Sequence, residues 1–304
     1  MAEGVSTLEQ FAKFGTDAYG LERLLRLLQS LTQLLLSYPS LIPLLLLPPS
    51  TLIAIPHPTP ILLSPLRNRL ATLRRAFRIF RFLESFAAAW TTAAAATTTT
   101  TTTTTPPTAG IAARMMALQR HLDVAAKSFT GMYLLLESAT FAEALDVPGL
   151  SVWGEERARR LNVEAQRFWF LGLVCAVLGG GLRVFLEGKA EAEGKGKGQG
   201  KGKGKGKGKG KGKGKGKGNG NEGGKPKEGS VNVDVAKVRE KKRKIVRRLV
   251  ADVMDLAVPG SVVGWVPLSP GVVSFLMLWS TVLTGLEVWE RCGRDVAAAK
   301  GVKG

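Results

Sequence analysis

The chain has 304 residues, a formal net charge of +19, 45% hydrophobic residues, two cysteines and two histidines. That charge points toward phosphate-rich partners, yet eleven of the lysines sit in the Gly-Lys alternation at 195–217, which has no side chains able to build a core. Cys175 and Cys292, far apart in sequence, supply neither a disulfide framework nor a metal-ligand spacing, and the rest of the chain is more apolar than a charged soluble domain usually is.

The first residues lack a basic region followed by an apolar one, so no cleavable secretory leader is expected, and the closing KGVKG is not the Ser-Lys-Leu type of address. Within 1–38, Leu21, Leu24, Leu25, Leu28, Leu31 and Leu35 recur at steps of three and four, with Glu22, Arg23 and Arg26 between them, which predicts an amphipathic helix stopping at Pro39. Residues 39–65 form an apolar insert with eight prolines. Proline removes backbone donors, and lipid offers no water to the freed carbonyls, so this stretch is expected to be irregular rather than spanning.

Residues 66–86 are the most informative short segment. At about 100° per residue Leu66, Leu70, Leu73, Phe77 and Phe80 fall in a narrow sector, while Arg67, Arg74, Arg75, Arg78 and Arg81 fan over one flank and the opposite side. Such a helix suits the interface of an anionic bilayer, the five apolar side chains inserting and Arg67, Arg74, Arg78 and Arg81 holding lipid phosphates. A packed helix with a solvated basic face has the same pattern.

An Ala/Thr-rich linker at 87–110 contains nine consecutive threonines and is expected to be disordered. Helical periodicity returns over 111–167, carrying Met115, Leu118, Leu122 and the run from Tyr133 to Leu136, with turn chemistry at Asp146 to Gly149. Residues 168–186 are apolar with one charge, Arg183, near the far end. That is long enough to cross about 30 Å of hydrocarbon, and Gly179, Gly180 and Gly181 allow a neighbouring helix to approach. A flexible Gly-Lys loop fills 187–234 and a basic helix 235–257. Pro267 and Pro270 divide a second membrane-embedded region, 258–290, into a re-entrant turn and a crossing helix at 271–286. A tail, 291–304, follows. The fold expected is an all-α membrane protein, with amphipathic helices, about two transmembrane helices in the C-terminal half and disordered low-complexity inserts.

Four pieces in this order resemble the peroxin-11 family, most closely its fungal branch: GLERLLRLLQ at 20–29, LRNRLATLRRAFRIFRFL at 66–83, YLLLES at 133–138 followed by QRFW at 166–169, and DVMDLAVP at 252–259 leading into 260–289. The resemblance implies a multi-pass protein of the peroxisomal membrane. It also implies that the helix matching 66–83 inserts into the cytosolic leaflet, elongating the organelle before fission. Partners so implied are the anionic phospholipid membrane, further copies of the chain and the fission machinery. With both ends cytosolic the Gly-Lys loop would lie inside the organelle, whereas the positive-inside rule keeps it in the cytosol.

Catalysis needs convergent acid, base or nucleophilic groups, and His57 and His121 have no visible partners, so no catalytic, cofactor-binding or metal residue is expected. Two rival readings remain. A channel of the same membrane would need polar groups inside the spans, where the sequence offers Arg183, Ser274, Ser280, Thr281 and Thr284. A basic nucleic-acid-binding protein would use the cluster at 237–248, but that cluster lacks aromatic stacking residues, so no nucleic acid is expected. If the organelle is not the peroxisome, another intracellular membrane is the next choice.

Overall fold

The computed structural model describes residues 6–41, 59–102, 110–147, 149–198 and 228–301, and every regular element among them is an α-helix. The N-terminal stretch makes two helices where the sequence predicts one. α1 (Thr7–Thr16) and α2 (Ala18–Ser37) part at Asp17, whose carboxylate accepts from the Tyr19 and Gly20 amides at 3.0 and 3.1 Å and so caps α2. α3 (Thr59–Ala76) starts inside the expected Pro-rich insert. Pro60 occupies its first turn, where a proline lacks only an amide that would have no partner. The remainder of that insert, 42–58, lies outside the described residues.

α4 (Arg81–Thr102) runs through most of the Ala/Thr stretch expected to be disordered. Alanine is the strongest helix former and extending a helix costs far less than nucleating one, so the run continues the turn before it. Residues 103–109 lie outside the description. α5 (Ile111–Ala139), the short α6 (Phe141–Ala144) and α7 (Glu155–Gly198) follow. The loop at 199–227 is likewise undescribed, and α8 (Glu228–Asp255) begins somewhat before the expected basic helix. α9 (Ala257–Val263) ends at Gly264, whose φ of 83° is the left-handed cap conformation that glycine adopts without strain. α10 (Pro270–Ala299) opens with Pro270 in its first turn and Ser269 as its cap, so the dividing prolines act as the sequence predicts.

α4, α5 and α7 pack side by side, as do α3, α2 and α10, with α1 also on α10; α8 lies against both α7 and α10 and joins the two groups. The first group closes over a small apolar core. Tyr133 stacks on Trp169 at 5.1 Å between centroids, beside buried Leu134 and Ala165, with Phe82, Leu136 and Phe168 around them. At the second group the fully buried side chains are mostly small, with Ser30, Ser274, Ser280 and Cys292 among them, which brings the helix backbones close.

On α10 and α2 polarity runs from inside to outside in the sense opposite to a water-soluble protein. Over 271–286 of α10 the exposed positions are Val272, Phe275, Trp279, Val282 and Leu286, an apolar stripe at steps of three and four, while Ser274, Ser280, Thr281 and Thr284 face inward. On α2 Glu22 and Arg26 are buried at 3 and 4% exposure and Leu28 is exposed. Among the described residues two helices are long and apolar enough to cross a membrane, Glu155–Lys189 with mean hydropathy 1.9 and Pro270–Ala299 with 1.6. Just 17% and 44% of their apolar windows are buried, so protein leaves most of each stripe uncovered.

Candidate membrane interface

The basic amphipathic segment is divided between α3 and α4. As one continuous helix, 66–86 would keep Leu66, Leu73, Phe77 and Phe80 within about 60° and set Leu70, Arg74, Arg78 and Arg81 to one side. The structure instead ends α3 at Ala76 and starts α4 at Arg81. Between them the Arg78 amide donates to the Arg75 carbonyl at 3.0 Å and the Arg81 amide to the Arg78 carbonyl at 3.0 Å, tight turns of three residues instead of α-helical steps of four. No glycine or proline lies at 77–80, so the local sequence does not demand a break. Contacts from α5 hold it. The Ser138 hydroxyl donates to the Ile79 carbonyl at 2.7 Å, and the Arg78 guanidinium donates to Glu137 at 2.7 Å and to the Tyr133 hydroxyl at 3.3 Å.

On both sides of the break apolar side chains point away from the protein. Leu66, Leu73, Phe77 and Phe80 are 44, 49, 45 and 73% exposed, and Leu62 before them and Leu83 and Trp90 after them are exposed too. Leu70, the fifth residue expected to insert, is buried at 8% exposure on the face that carries Arg74.

The arginines are distributed unevenly. Arg74 is buried between two α2 side chains, with Nη2 at 3.3 Å from Glu22 and Nη1 at 2.5 Å from Gln29. Arg81 lies 3.8 Å from the other Glu22 oxygen, its guanidinium over the Tyr19 ring at 4.4 Å. Arg75 adds a contact to Glu137 at 3.7 Å. In this conformation Arg74 and Arg78 therefore face carboxylates inside the protein. Arg67 bonds to its neighbour Asn68 at 2.9 Å and stays half-buried. Arg69, exposed at the edge of the apolar sector, was not singled out in the sequence pattern.

Burial alone would raise the Glu22 carboxyl, but the charges of Arg23, Arg74, Arg78 and Arg26 outweigh it and hold the group at about 2. Burial, helped by the like charges of Arg78 and Arg26, pushes Arg74 down to about 9 against the pull of Glu22. Burial also lowers Arg78, but Glu137, Tyr133 and Glu22 more than offset it, so this guanidinium is raised. At neutral pH Glu22, Arg74 and Arg78 all carry their charges. Glu22 and Glu137 are the residues the sequence pattern missed as partners of the arginines; they were visible as isolated acids on the leucine-rich 20–29 and YLLLES segments, far in sequence from the arginines of 67–81.

A second polar node ties three helices together. Arg26 on α2 meets Asp255 on α8 at 2.5 Å, and the Ser280 hydroxyl on α10 donates to the same carboxylate oxygen. The Nε atoms of Arg26 and Arg74 are buried without a hydrogen-bond acceptor from the protein. Of the two histidines, His121 is exposed on α5 and His57 lies outside the described residues.

A helical protein with outward apolar stripes and a charged interior is built for lipid, and the comparison with protein families is consistent with that setting. The model of the family described as Peroxisomal biogenesis factor 11 (PEX11) matches residues 58–289, from the residue before α3 to well along α10. The chain belongs to the PEX11 family. It is thus a peroxisomal membrane protein of organelle biogenesis and proliferation, and the matched region contains both apolar helices and the whole of 66–86. The match is to PEX11 as a whole and does not single out its fungal branch. No curated protein and no solved structure matches the chain.

Proposed function

We propose that this PEX11 protein remodels and elongates the peroxisomal membrane by setting the α3–α4 segment into one leaflet as a wedge, while α7 and α10 cross the bilayer and hold it there. The observation that carries this reading is the exposure of Leu66, Leu73, Phe77 and Phe80, which the described residues leave 44–73% open. Apolar surface of this kind gains roughly 1.5–3 kcal/mol per large side chain when it leaves water. Placed at the boundary of headgroups and acyl chains, it widens one leaflet relative to the other and lowers the cost of outward curvature. Leu70 packs within the protein and supports the wedge from behind. Arg67 and Arg69 would meet lipid phosphate directly, with Arg74, Arg78 and Arg81 held in reserve in ion pairs. Further copies of the chain would concentrate wedges locally, and fission machinery would act on the narrowed membrane.

The test is the double substitution Phe77→Glu and Phe80→Glu. Two carboxylates in the acyl region each cost several kcal/mol, more than arginine–phosphate contacts worth about 1 kcal/mol apiece can offset. The variant is expected to stay in the membrane pellet on carbonate extraction and to lose elongation and multiplication of the organelle when overproduced. Normal remodelling by this variant would move the wedge elsewhere in the chain.

A further inference from the structure

The sequence and the structure disagree at one place in a way that local chemistry does not account for. The apolar and basic periodicity runs unbroken from Leu66 to Phe80, yet the backbone is interrupted at 77–80, a stretch of Phe, Arg, Ile and Phe with no glycine or proline. Beside its own three-residue turns, the interruption is held by side chains of other helices. Glu22 on α2 takes Arg74 from one side of the break and Arg81 from the other, at 3.3 and 3.8 Å. Glu137 on α5 takes Arg78, within the break, at 2.7 Å and Arg75 just before it at 3.7 Å, and Ser138 bonds the Ile79 carbonyl. Two carboxylates thus hold four arginines on either side of and within one interruption.

We propose that 77–80 is a hinge that these carboxylates keep closed, and that the phosphates of an anionic bilayer open it by taking the arginines, whereupon 66–86 becomes one continuous helix. The inference rests on the wedge reading above and adds how the wedge is switched. In a continuous helix Leu66, Leu73, Phe77 and Phe80 fall into one sector, with Arg74, Arg78 and Arg81 along its flank at the height of the headgroups. The closed form gives the same arginines carboxylate partners, so the exchange is between oxyanions of one kind and another. Arg75 and Arg81 are the easiest to release, since their carboxylate contacts at 3.7 and 3.8 Å are long for a charge-assisted bond and their side chains are partly exposed. Straightening returns the amides of Arg78, Ile79 and Arg81 to regular helical bonding, which compensates for the lost Ser138 contact. Away from an anionic surface the arginines have no other counter-charge, and the hinge stays shut.

Spin labels on the full-length chain test this without altering any charge of the latch. In a background of Cys175→Ser and Cys292→Ser, labels at Asn68→Cys and Ala87→Cys report the distance across the break; both sites are exposed. Pulsed electron resonance is compared in vesicles of phosphatidylcholine alone, the same vesicles with inorganic phosphate, and phosphatidylcholine mixed with phosphatidylserine. The expected result is a shorter distance in the first two and a shift toward about 28 Å, the rise of nineteen residues of continuous helix, with phosphatidylserine. A Glu22→Gln, Glu137→Gln chain is expected to show the long distance in phosphatidylcholine alone. Electron micrographs of the same samples separate the two ideas. Vesicles tubulated by phosphatidylserine-bound protein with an unchanged label distance would overturn the hinge and leave the wedge standing. A long distance with inorganic phosphate would also overturn it, since free anion and not a bilayer would then be the trigger. Unchanged distance with untubulated vesicles would overturn both.

Discussion

α10 and the α3–α4 segment share one design and differ in two properties. Both turn an apolar stripe outward and a polar face inward: Val272, Phe275, Trp279, Val282 and Leu286 on the one, Leu66, Leu73, Phe77 and Phe80 on the other. The inward face of α10 carries hydroxyls, whose hydrogen bonds go mostly to backbone carbonyls one turn back, so nothing on it needs water. The inward face of α3–α4 carries guanidiniums, which require counter-charges. The helix of α10 is 30 residues long, against 18 for α3. Length and uncharged satisfaction suit one element to cross the hydrocarbon, and charge with a break in the backbone suits the other to lie at its surface.

The comparison can be broken most severely at the node that joins α10 to the rest. Asp255→Ala leaves Arg26 buried without its carboxylate and returns the Ser280 hydroxyl to the Met277 carbonyl alone, a loss of roughly 3–5 kcal/mol. Thermal unfolding in detergent micelles, followed by circular dichroism, should show it as a large drop in midpoint. The second break separates spanning from lying. Trp279→Arg puts a guanidinium near the middle of the apolar stretch of α10, at a cost of about 2.5–3.5 kcal/mol, and part of the protein should leave the pellet on carbonate extraction. The Phe77→Glu, Phe80→Glu chain should not leave it.

Acid sharpens the contrast between the charged face and the hydroxyl face. Glu22 titrates at about 2 in the fold against 4.5 for an ordinary glutamate, so folding favours its ionised form. Its contribution, about 3 kcal/mol, is fully present above pH 4.5 and is lost as pH falls from there through 2. A stability profile of Glu22→Gln should lack the part of the acid loss that falls in that window, while Ser274→Ala should keep it. The smallest effect is expected where a charge pair is in the open. Arg160 and Glu156 pair at 2.9 Å on α7 with both side chains mostly exposed, and Arg160→Ala should change stability by no more than about 0.5 kcal/mol in the same melt.

Most of the helices were legible from the sequence because periodicity and punctuation are local. The leucine spacing of α2, the prolines before α10, the apolar run within α7 and the basic amphipathic pattern of 66–86 each show in a short window. Where the reading missed, a local cap, propagation of a helix or a contact at long range decided the outcome. The Asp17 cap split the first helix, and the alanines carried α4 on to Thr102. Which face of an amphipathic helix looks outward cannot be taken from its period, since a soluble bundle and a lipid-exposed one share the same spacing with opposite sense. The sequence by itself determined the helices, the apolar lengths of α7 and α10 and the segregation of leucine and phenylalanine from arginine. Tertiary structure alone decided that Glu22 and Glu137, on α2 and α5, face the arginines around 77–80, that Leu70 turns inward, and that the backbone breaks where its own residues would have continued. The reason is physical: buried guanidiniums must find oxyanions, and those oxyanions lie on helices that only folding brings near.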